Sequence, residues 1–218
     1  MKVELNIPES LEDITLQQYQ KFVAIEEPTN EDLLSIFLSV DINVINNIKA
    51  SEIERLILHI NSLFESEKPY IGKFKLNDIH YGFIPNLDEI TYGENKDITS
   101  FINDWSTMHK AMSVLYRPIT FKRKEKYIIE DYDGKLESAE SFKEMPLSVA
   151  MGAMVFFYNL TKELLKAIPN YLEKQMEKQQ TKGQISAENG EAIKKLTHSL
   201  RATLEDLMRL QSYPYINV

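Results

Sequence analysis

The chain has 218 residues, a net charge of −8 and a pI near 5.2, and it contains no cysteine. The absence of cysteine excludes disulfides, thiol catalysis and zinc–thiolate sites. The acidic balance argues against a protein whose main task is to bind nucleic acid, because phosphate-binding proteins are usually basic.

The N-terminal residues predict a short extended segment. Val3, Leu5 and Ile7 alternate with polar residues until Pro8 stops the pattern, which indicates an edge strand or an extended arm. Residues 1–8 carry no apolar core of the kind that a secretion signal needs. We therefore expect a protein of a reducing cytoplasm.

Capping boxes predict the helices of the first third of the chain. In such a box, a Ser or Thr is followed three residues later by a side chain that caps it in return. The pairs are Thr15 with Gln18, Thr29 with Asp32, and Ser51 with Glu54. After the third pair, apolar residues recur at helical spacing at Ile53, Leu56, Ile57, Ile60, Leu63 and Phe64. The sequence therefore predicts a helical cluster over residues 1–66.

The middle region, residues 67–135, predicts strands and one helix. Strand-like runs at 71–76 and 79–84 flank the turn pair Asn77–Asp78, which indicates a β-hairpin. A helix is expected over residues 98–115, ending before Pro118. Its apolar face comprises Phe101, Ile102, Trp105, Met108, Met112 and Leu115. A second strand pair is predicted around residues 127–129, with a turn signal at Asp133–Gly134.

The last region, residues 136–218, is predicted to be helical. The longest apolar run, 147–160, is too short to span a membrane and contains Gly152 and Asn159, which indicates a buried helix. This helix is expected to reach about Lys178, with a kink or break near Pro169. A polar segment over 174–191 precedes a final amphipathic helix, whose leucines are Leu196, Leu200, Leu204, Leu207 and Leu210. The predicted fold is thus mainly α with a small β-hairpin or sheet, an α+β protein whose three regions form one unit.

Candidate catalytic residues are sparse. His109 follows Asp104 by five residues, which is off the spacing that places two side chains on one helix face. With Glu130, these two would be the candidates for an uncharacterised enzyme. The acidic segment around Asp131 and Asp133 lacks the full ligand pattern of a calcium loop and is interpreted as a turn. The basic run 122–126, bracketed by Phe121 and Tyr127, is interpreted as a solvated turn in preference to a nucleic-acid patch.

Partner binding is the alternative to catalysis. Helices that are apolar on most sides are buried in a core or await a partner. Chain ends are easily reordered when a partner docks. We therefore predict that partner-binding residues lie on the middle helix and in the C-terminal segment. They are Trp105, Met108, Met112, Leu204, Leu207, Tyr213 and Tyr215.

Four stretches of the sequence resemble a known family when they are taken together. They are residues 11–20 (LEDITLQQYQ), 83–94 (FIPNLDEITYGE) and 108–119 (MHKAMSVLYRPI), with 145–160 as a fourth. The combination resembles small morphogenesis proteins of tailed bacteriophages, including phages of Bacteroidetes and marine bacteria, which are described as tail assembly chaperones. The resemblance covers about two thirds of the chain.

This resemblance implies a non-enzymatic role in phage assembly. A tail assembly chaperone would shield apolar surface of a tail or tape-measure protein in the host bacterial cytoplasm. A structural component of the virion, such as a connector, tail or packaged protein, is the second hypothesis, and an uncharacterised enzyme is the third. The resemblance implies no catalytic residues and no cofactor. Tail or other virion proteins are the expected partners, self-association is left open, and neither nucleic acid nor a membrane is expected.

Overall fold

The computed structural model describes residues 5–124, 126–160 and 163. Within them the protein is mainly helical with one four-stranded antiparallel sheet, which confirms the predicted α+β fold class. The chain divides into two compact units. The first holds the described residues up to Ala153, and the second begins at Met154. The predicted kink at Pro169, the polar segment 174–191, the final leucine helix, Tyr213 and Tyr215 lie outside the described residues.

Four helices form the N-terminal part of the first unit. They are α1 (Leu16–Val23), α2 (Asn30–Phe37), α3 (Ile42–Ile45) and α4 (Ala50–Glu65). Residues 5–8 form no strand. The predicted extended segment is instead anchored near its end, where Nε2 of His59 on α4 lies 2.8 Å from the carbonyl oxygen of Pro8.

Two of the three predicted capping boxes in this part are confirmed. Thr15 and Thr29 each cap the N3 backbone of the following helix, and Gln18 and Asp32 cap them in return. The third prediction is wrong, since α4 begins at Ala50 with Lys49 at the N-cap and no side-chain cap. The backbone N–H groups of residues 52 and 53 both donate to the Lys49 carbonyl, which closes the first turn and leaves Ser51 inside the helix.

The different starts of α1 and α4 predict different effects of alanine substitution at Thr15 and Ser51. Thr15→Ala removes the acceptor for the Gln18 N–H and is expected to lower the free energy of unfolding by about 1 kcal/mol. Ser51→Ala removes no cap and is expected to leave stability unchanged or slightly higher, because alanine is the better helix former. Urea unfolding followed by circular dichroism measures both. An equal loss in the two variants would contradict this assignment of the helix start.

The sheet has the strand order β1-β2-β3-β4, with β1 (Lys73–Leu76), β2 (Ile79–Phe83), β3 (Tyr116–Arg123) and β4 (Lys126–Ile129). The predicted first hairpin is confirmed, and Asn77 and Asp78 both have positive φ, as a two-residue hairpin turn requires. The prediction of a strand near residues 127–129 is also confirmed as β4. Its partner is β3, whose residues were predicted as the region after a helix end and as part of a solvated turn.

The predicted single helix over residues 98–115 is wrong. The structure has α5 (Tyr92–Phe101), a 3₁₀ turn (Trp105–Thr107) and α6 (Met108–Leu115). Because of the capping box of Thr91 and Glu94, α5 begins six residues before the predicted start at residue 98. The Asp104 carboxylate accepts a hydrogen bond from the Ser106 N–H at 2.8 Å, and this local cap ends the first helix and begins a new turn.

A further 3₁₀ segment (Glu137–Glu144) precedes α7, a helix over residues 147–160. The start of α7 is joined to α1 by backbone hydrogen bonds from Leu16 N to Met145 O (2.9 Å) and from Leu147 N to Ile14 O (2.8 Å). Edge-to-face ring contacts run across the sheet and join it to the 3₁₀ segment. The rings are those of Phe74, Tyr81, Phe83, Tyr116 and Phe142. Phe142 of the 3₁₀ segment therefore packs against the sheet at Tyr81.

Candidate functional site

The predicted partner-binding residues of the middle region lie in the core. Met108 and Met112 are fully buried, and Trp105 is buried with its ring 4.7 Å from that of Tyr19. The helix α6 that follows Trp105 is buried on most of its sides, because it packs under α5 and the 3₁₀ segment 137–144. The prediction that these three residues form a partner surface is therefore not retained. Leu204, Leu207, Tyr213 and Tyr215 lie outside the described residues.

The candidate catalytic residues are not brought together. Asp104 serves as the cap described above. Glu130 lines a cavity of about 420 Å³ next to the sheet, and the lining of that cavity includes neither Asp104 nor His109. Within the described ranges, no group of three His, Cys, Asp or Glu side chains could hold a metal ion. The three residues therefore form no common site.

His109 is a buried structural histidine. The Gln20 side-chain amide donates to the Trp105 carbonyl at 2.6 Å and lies 3.0 Å from Nδ1 of His109. With Nδ1 as acceptor, Nε2 carries the proton, and it lies 3.3 Å from a carboxylate oxygen of Glu140. Burial, followed by the nearby charge of Lys143, lowers the pKa of His109, and the charge of Glu140 opposes this only in part. The imidazole is therefore neutral at pH 7 and joins α1 to α6.

The lowered pKa predicts a pH dependence of stability. His109 binds a proton less readily in the folded chain than in the unfolded chain, whose ordinary value is 6.5. The contribution of His109 to the free energy of unfolding is thus complete above pH 6.5. It is lost as the pH falls toward the pKa that His109 has in the folded chain. We expect the free energy of unfolding to decrease from pH 7 to pH 5 in the wild type. His109→Asn, whose side-chain oxygen can accept from Gln20, is expected to lack this decrease.

Chemical denaturation at several pH values measures the effect. His80→Gln, at an exposed position on β2, is the matched control for the loss of one imidazole. The pKa values of Glu94, Glu140 and Asp32 are also lowered, from ordinary values of 4.5, 4.5 and 3.8, so these carboxylates reduce stability mainly below the window from pH 7 to pH 5. The same decrease in His109→Asn as in the wild type would refute the assignment.

A buried ion pair fixes β3 to α5. The Arg117 guanidinium lies 2.6 Å from one carboxylate oxygen of Glu94, and both side chains are nearly inaccessible. The other carboxylate oxygen accepts from the Thr91 N–H at 2.7 Å, so the capping glutamate and the ion-pair partner are one residue. Burial raises the pKa of Glu94, but the bonds to Thr91 and the charge of Arg117 outweigh it and lower the pKa overall. This carboxylate is therefore charged and structural.

The end of the β3–β4 hairpin carries an exposed apolar pair. Phe121 and Ile128 face each other across the two strands, so their side chains lie on the same face. They are 56% and 59% exposed, while β3 begins fully buried at Tyr116. The predicted basic run continues both strands toward the turn, where Lys124 has positive φ. Arg123 and Lys126 lie on the same face of the hairpin as the apolar pair, whereas Lys122 lies on the opposite face, across from Tyr127. We name Phe121, Ile128 and the cations Lys122, Arg123, Lys124 and Lys126 the hairpin patch.

A second apolar surface lies between α2, α3 and α4. It is an open groove of about 400 Å³. Its floor consists of aliphatic side chains, namely Leu34, Ile45, Ile48, Ile53 and Ile57. Glu31 and Glu54 are the charged residues of its lining, and both are exposed. We name this surface the helical groove.

The hairpin patch was not recognised from the sequence. The signal was present, because residues 119–121 and 127–129 are β-branched or aromatic and flank a short polar turn. The basic run suggested only a turn, and Pro118 suggested the end of a helix. Pro118 instead lies within β3, where its carbonyl accepts from the Glu130 N–H at 2.9 Å.

No protein-family model matches the chain, and no curated protein or solved structure is significantly similar to it. None of the helices within the described residues is long and apolar enough to cross a membrane.

Proposed function

We propose that this chain is a non-enzymatic morphogenesis protein of a tailed bacteriophage, and specifically a tail assembly chaperone that binds a tail or tape-measure protein. The hairpin patch is the observation that supports this proposal. Two large apolar side chains stay more than half exposed at the end of a hairpin, beside four cations. The resemblance of residues 11–20, 83–94 and 108–119 to phage morphogenesis proteins supports the same role.

The chemistry of the patch indicates how a partner would be held. Complete burial of a Phe or Ile side chain contributes about 1.5–3 kcal/mol, so covering the exposed parts of both supplies roughly that much in total. The cations speed association with an acidic partner surface and contribute less to its lifetime. A transient complex with an apolar segment flanked by Asp or Glu is the expected mode. Such a complex suits a chaperone, which must release the tail protein when assembly proceeds.

The proposal is tested by affinity purification from cells that produce the phage tail proteins. The wild type is expected to retain a tail or tape-measure protein. The double variant Phe121→Ser with Ile128→Ser is expected to retain at least about tenfold less, the loss that corresponds to 1.4 kcal/mol. Tyr92→Ser is the matched control, because Tyr92 is 84% exposed on α5 and lies outside the hairpin.

Failure of the wild type to retain any tail protein would overturn the proposal. So would equal retention by the hairpin variant and the wild type, since the binding would then use another surface. Both variants alter exposed side chains, so circular dichroism is expected to show unchanged folding.

A further inference from the structure

We infer that the hairpin patch of one copy docks into the helical groove of a second copy, so that the chains associate head to tail. The inference rests on the proposed binding role of the hairpin, and it names the partner that this surface meets when no tail protein is present. It follows from the match between two surfaces of the first unit in apolar character and in charge.

The apolar parts of the two surfaces correspond. The hairpin presents one aromatic and one branched aliphatic side chain on the same face. The helical groove offers an aliphatic floor, and its volume of about 400 Å³ exceeds that of a single side chain. Beyond the groove, Leu58 on α4 is 56% exposed and stands one turn after Glu54 on the same helix face, which extends the apolar surface.

The hairpin patch and the helical groove also carry charges of opposite sign. Residues 122–126 contribute +3 to the total of −8, so the remaining residues carry −11. In the part of the chain that the structure describes, Glu31 and Glu54 have no ion-pair partner, and neither do the four cations of the hairpin patch. The lining of the groove contains no Lys, Arg or His. A basic hairpin is therefore attracted to the acidic body of another copy. The groove suits it best, because its two carboxylates without ion-pair partners lie beside an apolar floor.

Such a contact does not stop at two copies. The hairpin and the groove are different surfaces, so the contact is heterologous, and a bound pair of copies still presents one free hairpin and one free groove. Association therefore continues into a ring or an open chain. A tail protein that binds the hairpin patch would compete with this contact.

The inference is tested with charge-reversal variants of the two surfaces. Light scattering after size-exclusion chromatography measures the mass of the full chain in solution. At about 100 μM, where even a micromolar contact is populated, the wild type is expected to show a weight-average mass above twice the 25.4 kDa of one chain. Arg123→Glu with Lys126→Glu, which reverses the two cations on the face of the apolar pair, and separately Glu31→Lys with Glu54→Lys, are each expected to be monomeric. An equimolar mixture of the two double variants is expected to associate again, because each hairpin then meets a groove of opposite charge.

Glu9→Lys with Glu12→Lys is the matched control, since it changes the net charge equally at exposed positions outside the groove. This variant is expected to associate like the wild type. A monomeric wild type would overturn the inference, and so would a mixture of the double variants that stays monomeric. A monomeric wild type that still retains a tail protein would refute the head-to-tail contact alone. Association without tail-protein binding would refute the proposed function alone.

Discussion

Replacing Gly152 with alanine is expected to lower the free energy of unfolding by about 3 kcal/mol, the upper end of the usual cost of overpacking. Gly152 lies within α7, where alanine would otherwise stabilise the helix by about 1 kcal/mol. An added Cβ would stand 2.2 Å from the Pro69 carbonyl oxygen, however, and 3.5 Å from the Cα of Tyr70. These are backbone atoms, so the helix and the segment before β1 must separate, and this cost exceeds the gain in helix propensity.

Gly93→Ala is the matched control, because it also lies in a helix, α5. Its added Cβ would make only ordinary contact, at 3.5 Å, with the ring of Tyr132. We expect this variant to be as stable as the wild type or slightly more stable. Guanidinium unfolding of both variants measures the difference, and a Gly152→Ala protein as stable as Gly93→Ala would contradict the close approach of α7 to Pro69.

Breaking the Glu94–Arg117 pair is expected to cost about 3 kcal/mol of stability from either side. Glu94→Gln preserves the shape of the side chain and its acceptor for the Thr91 N–H, but it leaves the Arg117 guanidinium buried without a counter-charge. Arg117→Met leaves the Glu94 carboxylate buried and unpaired in the same way. The double variant Glu94→Gln with Arg117→Met buries no unpaired charge, and it is expected to lose clearly less than the sum of the two single losses.

Thermal or denaturant unfolding of the three variants gives this double-mutant cycle. Glu52→Gln removes the exposed pair with Arg55 on α4 and is expected to change stability by no more than about 0.5 kcal/mol. Additive losses in the cycle would show that the two residues act independently and would contradict a shared role in fixing β3 to α5.

The elements that the sequence predicted well are those with local causes. The caps at Thr15 and Thr29 need only a side chain and the next three backbone groups, and the turn at Asn77–Asp78 needs only two residues that tolerate positive φ. The elements that were missed depend on distant partners. Strand β3 follows α6 without a loop and is defined by its ladders to β2 and β4, which no local pattern around Pro118 reveals.

The candidate site was harder to predict for a related reason. Trp105, Met108 and Met112 have the composition of an interface, but cores and interfaces share that composition, and only the packing of α6 shows that these side chains are core. Phe121 was noticed beside the basic run, yet its exposure and its pairing with Ile128 become visible only in the folded hairpin.

The proposed chaperone role implies that this protein assists tail assembly and is not built into the particle. Quantitative mass spectrometry of purified phage particles beside infected-cell lysate tests it most directly. We predict that the protein is abundant in the lysate and absent from the particles. A fixed number of copies in each particle would contradict the chaperone role and would make the protein a building block of the virion.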